Sequence, residues 1–314
     1  MRPLLSVHIT SYNHAEFIAE ALDSVLAQDY RPLQIVIGDD GSPDGTGAIV
    51  EQYAKRHPDV IQCITQPHVG VLENANRVLR ACTGKYVAML NGDDAFLPRK
   101  LARQVEWLEA DSRRVLCGHP VETFESSTGK TLKVDHEAGR AAGLGAGEFL
   151  RHGCPFAFVS VMVRRDALPP YGFDGRLKAA LDYKLWLDVL GGGGAFGALE
   201  EPLARYRVHG QSFSSTRRDD MDVDFHVARA AFEATHPNLD LMRASLEGRA
   251  SRFLDRAMTR IQAGDTSSAR ELALTALRLA PGARSLATVG WTHLPPRVRS
   301  AVSRLRSALK PSAS

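Results

Sequence analysis

Four short runs of β-branched and aliphatic residues, Leu4 to Thr10, Leu33 to Gly38, Val60 to Thr65 and Lys85 to Leu90, follow one another before residue 91. The gaps between them carry helical patterns at residues 15 to 28, 44 to 56 and 71 to 82, too long for hairpin turns. Strands joined by crossover helices lie parallel. The alternation therefore predicts an α/β fold, an αβα sandwich on a mainly parallel sheet. Ligands are expected where the strands end.

A helix from Pro98 to Ala110, with Pro in a tolerated first turn, leads to a fifth strand at Val115 to Gly118. The stretch from Ser126 to Gly147, rich in Gly, Ser and Thr, reads as a mobile loop. Phe158 to Val163 and Leu203 to Val208 read as strands bracketing a helix over Ala180 to Leu190, which Gly191 to Gly194 ends. From about residue 222 the pattern is wholly helical. Leu254 to Ala263, Gly264-Asp265 and Ala269 to Leu279 resemble one tetratricopeptide-type hairpin. One such pair cannot build a solenoid, so it is expected to be a packing appendage.

At 314 residues, 44% of them hydrophobic, the chain can fill one α/β core with residues to spare for that appendage. No apolar run approaches the length of a membrane span, and Met1-Arg2-Pro3 leads straight into a strand pattern, so a cytoplasmic protein is expected. Cys63, Cys82, Cys117 and Cys154 lack metal-ligand spacing and read as reduced thiols. The total charge is +3, yet the last 43 residues hold seven basic and no acidic side chains, which leaves −4 on the remainder. Such an end suits an anionic surface or simply a solvated tail. Val298 to Leu309 can form an amphipathic helix, so residues 295–314 are expected to lie peripherally on the inner face of the plasma membrane. Nucleic acid is not an expected partner.

Three strand ends carry chemistry. The first ends in Thr10-Ser11-Tyr12-Asn13, hydroxyls, an aromatic face and an amide that suit a base and ribose. The second ends in Gly38-Asp39-Asp40-Gly41-Ser42-Pro43-Asp44-Gly45-Thr46, where a carboxylate can accept the imide hydrogen of uracil or thymine. A capping turn with acidic decoration explains this segment equally well taken alone. The fourth strand ends in Asn91-Gly92-Asp93-Asp94, two adjacent carboxylates beside a buried strand. A hard divalent ion, Mg²⁺ or Mn²⁺, completed by substrate phosphates would relieve that repulsion. The alternative there is an acidic turn before the next helix.

These residues resemble glycosyltransferase family 2 over about residues 4 to 212. Ser11-Tyr12-Asn13 and Asp39 to Thr46 match its first two motifs; Gly70, Asn76, Gly84-Lys85-Tyr86 and Asn91 to Asp94 follow in its order and spacing. The resemblance implies a GT-A-type Rossmann-like sandwich and an inverting, nucleotide-sugar-dependent transferase. Asn91 departs from the family, standing where the metal motif usually begins with Asp, so the weight passes to Asp93, with Asp94 beside it. Residues 66 to 119 are also similar to a subgroup with Glu-Gly-Asp-Asp at this place, which includes bacterial rhamnosyl- and glucosyltransferases of surface polysaccharide assembly. Asp182, in Asp182-Tyr183-Lys184-Leu185-Trp186-Leu187, resembles the family's catalytic base. His209, in His209-Gly210-Gln211-Ser212, resembles a residue that approaches the metal or diphosphate; a structural histidine is the alternative.

The expected reading is thus a glycosyltransferase domain at 1–215, its nucleotide-sugar half at 1–120 and its acceptor half at 121–215, followed by a helical region at 216–314. The donor is a UDP- or dTDP-sugar met by Thr10, Tyr12, Asn13, Asp39, Asp40, Asn76 and Asp93; the metal ligands are Asp93, Asp94 and His209; the base is Asp182. The acceptor is a glycan or a lipid-linked hydroxyl. A sugar nucleotidyltransferase would carry a Gly-rich basic loop after strand one, which Ser11-Tyr12-Asn13-His14 is not. An inactive nucleotide-sugar-binding adaptor is the other alternative, raised by Asn91.

Overall fold

The computed structural model describes residues 2–136, 138–210 and 217–294. The chain forms two compact units, Met1–Pro237 and Asn238–Ser314.

In the first unit β1 (Leu5–Ser11), β2 (Leu33–Asp39), β3 (Ile61–Thr65) and β4 (Tyr86–Asn91) are linked by α1 (Ile18–Leu26), α2 (Thr46–Arg56) and α3 (Val71–Ala81). These four strands are parallel, in the order β3-β2-β1-β4. β1 and β4 are buried almost end to end, as strands covered on both faces must be, whereas β3 alternates toward solvent. Leu5, Val7, Ile9, Ile35, Ile37, Ala88 and Leu90 form the core with the inner faces of α1 and of α4 (Lys100–Glu109). Gly84 is required by close approach: a Cβ there would sit 2.5 Å from the Ser6 amide. The chain leaves β1 toward β2 on one side and reaches β4 on the other, so the order reverses between β1 and β4 and opens a crevice at their carboxyl ends.

Beyond β4 the sheet continues through β10 (Met162–Arg164), antiparallel to both β4 and β6 (Arg114–Gly118), then β11 (Ala195–Ala198), parallel to β6, and β9 (Ala142–Leu144), antiparallel to β11. A second sheet orders β5 (Ala95–Phe96), β12 (Ala204–Val208), β7 (Val121–Glu125) and β8 (Thr131–Val134). Two expectations are corrected here. The stretch from 126 to 147 holds β8 and β9, because the Glu125–Lys130 turn folds β8 onto β7 and β9 pairs with β11. Phe158 to Val163 begins as a 3₁₀ turn, with the Ser160 hydroxyl and amide on Ala157 O, and becomes strand only at Met162.

α5 (Gly147–His152) precedes that turn, and α6 (Leu181–Gly191) is buried around Trp186, whose ring stacks on Phe158 at 6.5 Å. α7 (Arg218–Thr235), read from sequence as the start of the helical appendage, belongs to the first unit: Phe225 meets the Tyr183 ring edge-on at 4.8 Å. The second unit holds α8 (Leu239–Gln262), α9 (Thr266–Leu279) and α10 (Ala283–His293). Asn238 and Asp265 cap the first two of these through backbone amides, and small residues, Ala250, Ala257, Ala269, Ala273 and Ala276, let α8 and α9 approach closely. No described helix is long and apolar enough to cross a membrane. The amphipathic segment read at 298 to 309 lies outside the described residues.

Candidate active site

The parallel register sets Thr10 beside Gly38 and Asn91, and Ser11 beside Asp39, so all three motif-bearing strand ends open on one edge of the sheet. The Asp39–Thr46 turn then clamps the loop after β1. Asp39 binds the Ser42 amide and hydroxyl at 3.1 and 2.5 Å, and the Ser42 hydroxyl accepts from Asn13 N at 2.9 Å. Asp44 accepts from the Thr46 amide and hydroxyl and from Ala15 N, while the Thr46 hydroxyl accepts from His14 N. The acidic turn thereby satisfies three amides in the approach to α1, which has no side-chain cap of its own. Asp39, expected as a donor ligand, is 4% exposed and spent on this clamp.

Asp40 is 2% exposed and ties β2 to the loop before α3: Val69 N and Gly70 N donate to its two oxygens at 2.8 and 2.9 Å. Tyr12 is 41% exposed, its ring tilted against His68 at 4.7 Å. Asn76, another expected donor ligand, is committed elsewhere. Its amide donates to Phe173 O at 3.0 Å and accepts from Phe173 N at 2.8 Å, which latches α3 to the 172–173 turn across 97 positions.

At the end of β4 the two carboxylates part company. Asp94, 2% exposed, accepts from Arg207 N at 2.9 Å and from the Asn91 amide at 3.3 Å, joining the metal-motif turn to β12. Burial and the neighbouring Asp93 charge push its carboxyl well above the usual carboxylate range. Asn91 makes sense in that light, since an acid there would add a third negative charge. Asp94, expected as a metal ligand, thus has a scaffolding role, one hydrogen bond to each oxygen tying the turn to β12 and to Asn91.

Asp93 keeps a partly open carboxylate facing two imidazoles: His209 Nε2 lies 3.1 Å from Oδ2 and His14 Nε2 4.0 Å from the same oxygen. Burial works against its ionisation, but the His209 hydrogen bond and the His14 ring prevail and hold its carboxyl below the ordinary value. The His14 pKa is lowered as well, by burial, which favours its neutral form. On the same loop the Ser11 hydroxyl, the Asn13 side-chain Oδ1 and His14 Nδ1 are buried without a hydrogen-bond partner among the described residues. A Cβ at Gly92 would stand 2.7 Å from His14 Nδ1 and 2.9 Å from Ser11 Oγ, so the glycine keeps this cradle open. His14 was not singled out in the sequence; the signal for it was its place at the end of the Ser11-Tyr12-Asn13 motif.

Among the described residues no group of three or more His, Cys, Asp and Glu side chains is gathered as a metal cage. One carboxylate and one imidazole beside three unsatisfied polar atoms do suit a hard cation that takes its remaining ligands from phosphate. Asp182 lies half-buried in the first turn of α6, accepting from Tyr183 N at 2.8 Å, and burial raises its carboxyl above the usual range. Its charge is felt by the Cys154 thiol, and no hydrogen bond or ion pair among the described residues joins it to Asp93. Asp224, missed in the sequence, holds the approach to that turn: one oxygen accepts from Lys178 N, Ala179 N and Ala180 N at 2.7, 2.5 and 3.0 Å.

The family model described as glycosyl transferase family 2 matches residues 6–168. An uncharacterized protein of Mycobacterium tuberculosis is 39% identical over 123 residues, 38% of this chain and 36% of its own length, so the chain spans little more than a third of that relative. A Bacillus subtilis protein provisionally named as a teichuronic acid biosynthesis glycosyltransferase is 27% identical over 219 residues, 69% of this chain and 83% of its own. Among solved structures, S. aureus TarS 1–349 in complex with UDP-GlcNAc aligns at a TM-score of 0.64 and 14% identity, covering 96% of this chain and 91% of TarS 1–349. The mannosyltransferase PcManGT of Pyrobaculum calidifontis, in complex with GDP-Man and Mn²⁺, aligns at 0.55 and 20% identity, covering 99% and 82%. At these identities the likeness is one of fold.

Proposed function

The chain belongs to glycosyl transferase family 2, and on that footing we propose that it is an inverting enzyme moving a sugar from a UDP- or dTDP-sugar to a hydroxyl of a glycan or lipid-linked acceptor, in bacterial surface polysaccharide or glycoconjugate assembly. The observation that carries the reading is the convergence of Asp93, His209 and His14 at the β1/β4 crevice. Asp93 and His209 would hold Mg²⁺ or Mn²⁺, which supplies positive charge to a departing diphosphate. The uracil or thymine base would rest on Tyr12 with its imide hydrogen on Asp40, and the ribose near Thr10 and Asn13.

Asp182 acts as the base. Its Oδ takes the proton of the acceptor hydroxyl as that oxygen forms a bond to the anomeric carbon, and the carbon–oxygen bond to the diphosphate breaks on the opposite face. A carboxyl raised by burial is the better proton acceptor for this step. The glycan class follows the name of the Bacillus subtilis relative, and a divalent ion accords with the Mn²⁺ present in the PcManGT complex. Calorimetry with UDP, dTDP and GDP, with and without Mn²⁺, tests the donor. Asp182→Asn is expected to keep the donor affinity while transfer falls by at least about a hundredfold; full transfer in that variant would falsify the base assignment.

A further inference from the structure

We infer that His68 is a stand-in for the donor's base, seated in the base subsite until the nucleotide displaces it. The inference rests on the donor reading above and deepens it. Asp40 meets two kinds of partner. Val69 N and Gly70 N are backbone donors that pin the loop to the end of β2, and the Gln66 amide, held by Arg77 and Asn74, donates to Asp40 Oδ1 at 3.4 Å and anchors the same loop from its other side. These contacts are scaffold and need not change. The remaining partner is a side chain: His68 Nδ1 lies 2.9 Å from Asp40 Oδ2 and 3.1 Å from Asp40 O. The hydrogen bond runs to Asp40 O, a carbonyl that only accepts, so Nδ1 carries the hydrogen, with Oδ2 beside it at ion-pair distance.

The same imidazole lies against Tyr12, centroid to centroid 4.7 Å with 33° between the planes. That is stacking range, and one aromatic face at that spacing takes one ring. A pyrimidine on this face of Tyr12 with its N3–H on the Asp40 carboxylate would use the platform that His68 now uses and the space beside Oδ2 that its Nδ1 now fills. Planar ring, single N–H donor and position are all matched. The side chain is 58% exposed. Beyond its own loop it meets Asp40 and Tyr12, so rotation about its own side-chain bonds clears the subsite while the loop backbone stays in place.

A competitor tethered in the site lowers apparent affinity by the fraction of time it is seated. Removing it should therefore tighten the nucleotide and leave a ligand with no base untouched. The test is calorimetry on the full chain with Mn²⁺, using UDP and inorganic pyrophosphate as probes, on the wild type, His68→Ala and His68→Phe. His68→Ala is expected to bind UDP about fivefold more tightly, with pyrophosphate affinity unchanged. His68→Phe, which keeps a ring without the N–H, is expected to fall between. Weaker or unchanged UDP binding by His68→Ala overturns the inference, since a stacking platform or a bystander would behave so; equal tightening of UDP and pyrophosphate overturns it too. Failure of wild type and variants alike to bind UDP, dTDP and GDP removes the donor reading and this inference together.

Discussion

Asp224→Ala should disturb the turn that carries Asp182, the proposed base, without touching Asp182 itself. In the wild type one buried carboxylate oxygen, on a residue 4% exposed, receives three backbone amides from 178–180, directly before the turn that carries Asp182. Hydrogen bonds to a charged acceptor contribute about 1.5–3 kcal/mol each, but three sharing one oxygen do not add. Leaving buried donors unmet costs about 1–3 kcal/mol for each group, partly offset by relaxation of the turn, so about 3 kcal/mol is expected. Asp224→Asn retains one accepting oxygen and should recover about half. Urea unfolding followed by tryptophan fluorescence reads the stability, since Trp186 is fully buried on the same helix. A shift of about 1 Å at the start of α6 is enough to lower kcat roughly a hundredfold. The donor KM should hardly move, because Tyr12, Asp40 and Asp93 lie on other elements. An Asp224→Ala protein within about 0.5 kcal/mol of wild type, or one with undiminished kcat, refutes the claim that α7 organises this turn.

Two further outcomes follow from the buried groups. Lys100 is fully buried, with Nζ 2.7 Å from Gln104 Oε1 and 4.2 Å from the Phe96 ring centroid, and burial lowers its pKa to about 7 from 10.5. Between those values the unfolded chain keeps a proton that the folded chain has released, so stability rises with pH by at most about 1.4 kcal/mol per unit; below about pH 7 the full burial penalty is felt. Lys100→Met should flatten that slope and stabilise the protein by roughly 2 kcal/mol near pH 7; identical slopes in urea titrations from pH 6 to 10 count against it. Gly92→Ala would press a methyl against His14 Nδ1 and Ser11 Oγ. We expect a stability loss of about 1–3 kcal/mol and Mn²⁺-dependent UDP binding weakened at least about tenfold; unaltered binding would show that the cradle is not used.

Much of the architecture was legible because it is local. Strand and helix periods and the turn chemistry of Asp39 to Thr46 depend on neighbours a few positions away, and the crossover helices between the strands announce the parallel sheet on whose edge the motifs gather. The same locality explains the misreading of Phe158 to Val163, whose apolar run suits a strand until the Ser160 side chain and amide turn back on Ala157. Which carboxylates stay open is not a local property. Asp94 is consumed by an amide 113 positions away, Asn76 by a turn 97 positions away, and Asp93 is completed by a histidine 116 positions away. Asp224 holds the approach to a helix from an element that the helical pattern alone assigns to the appendage. Sequence names the groups able to bind a nucleotide and an ion, because chemistry is carried by residue type. Burial and competing partners decide which of them remain free to do so, and those arise only when distant segments pack.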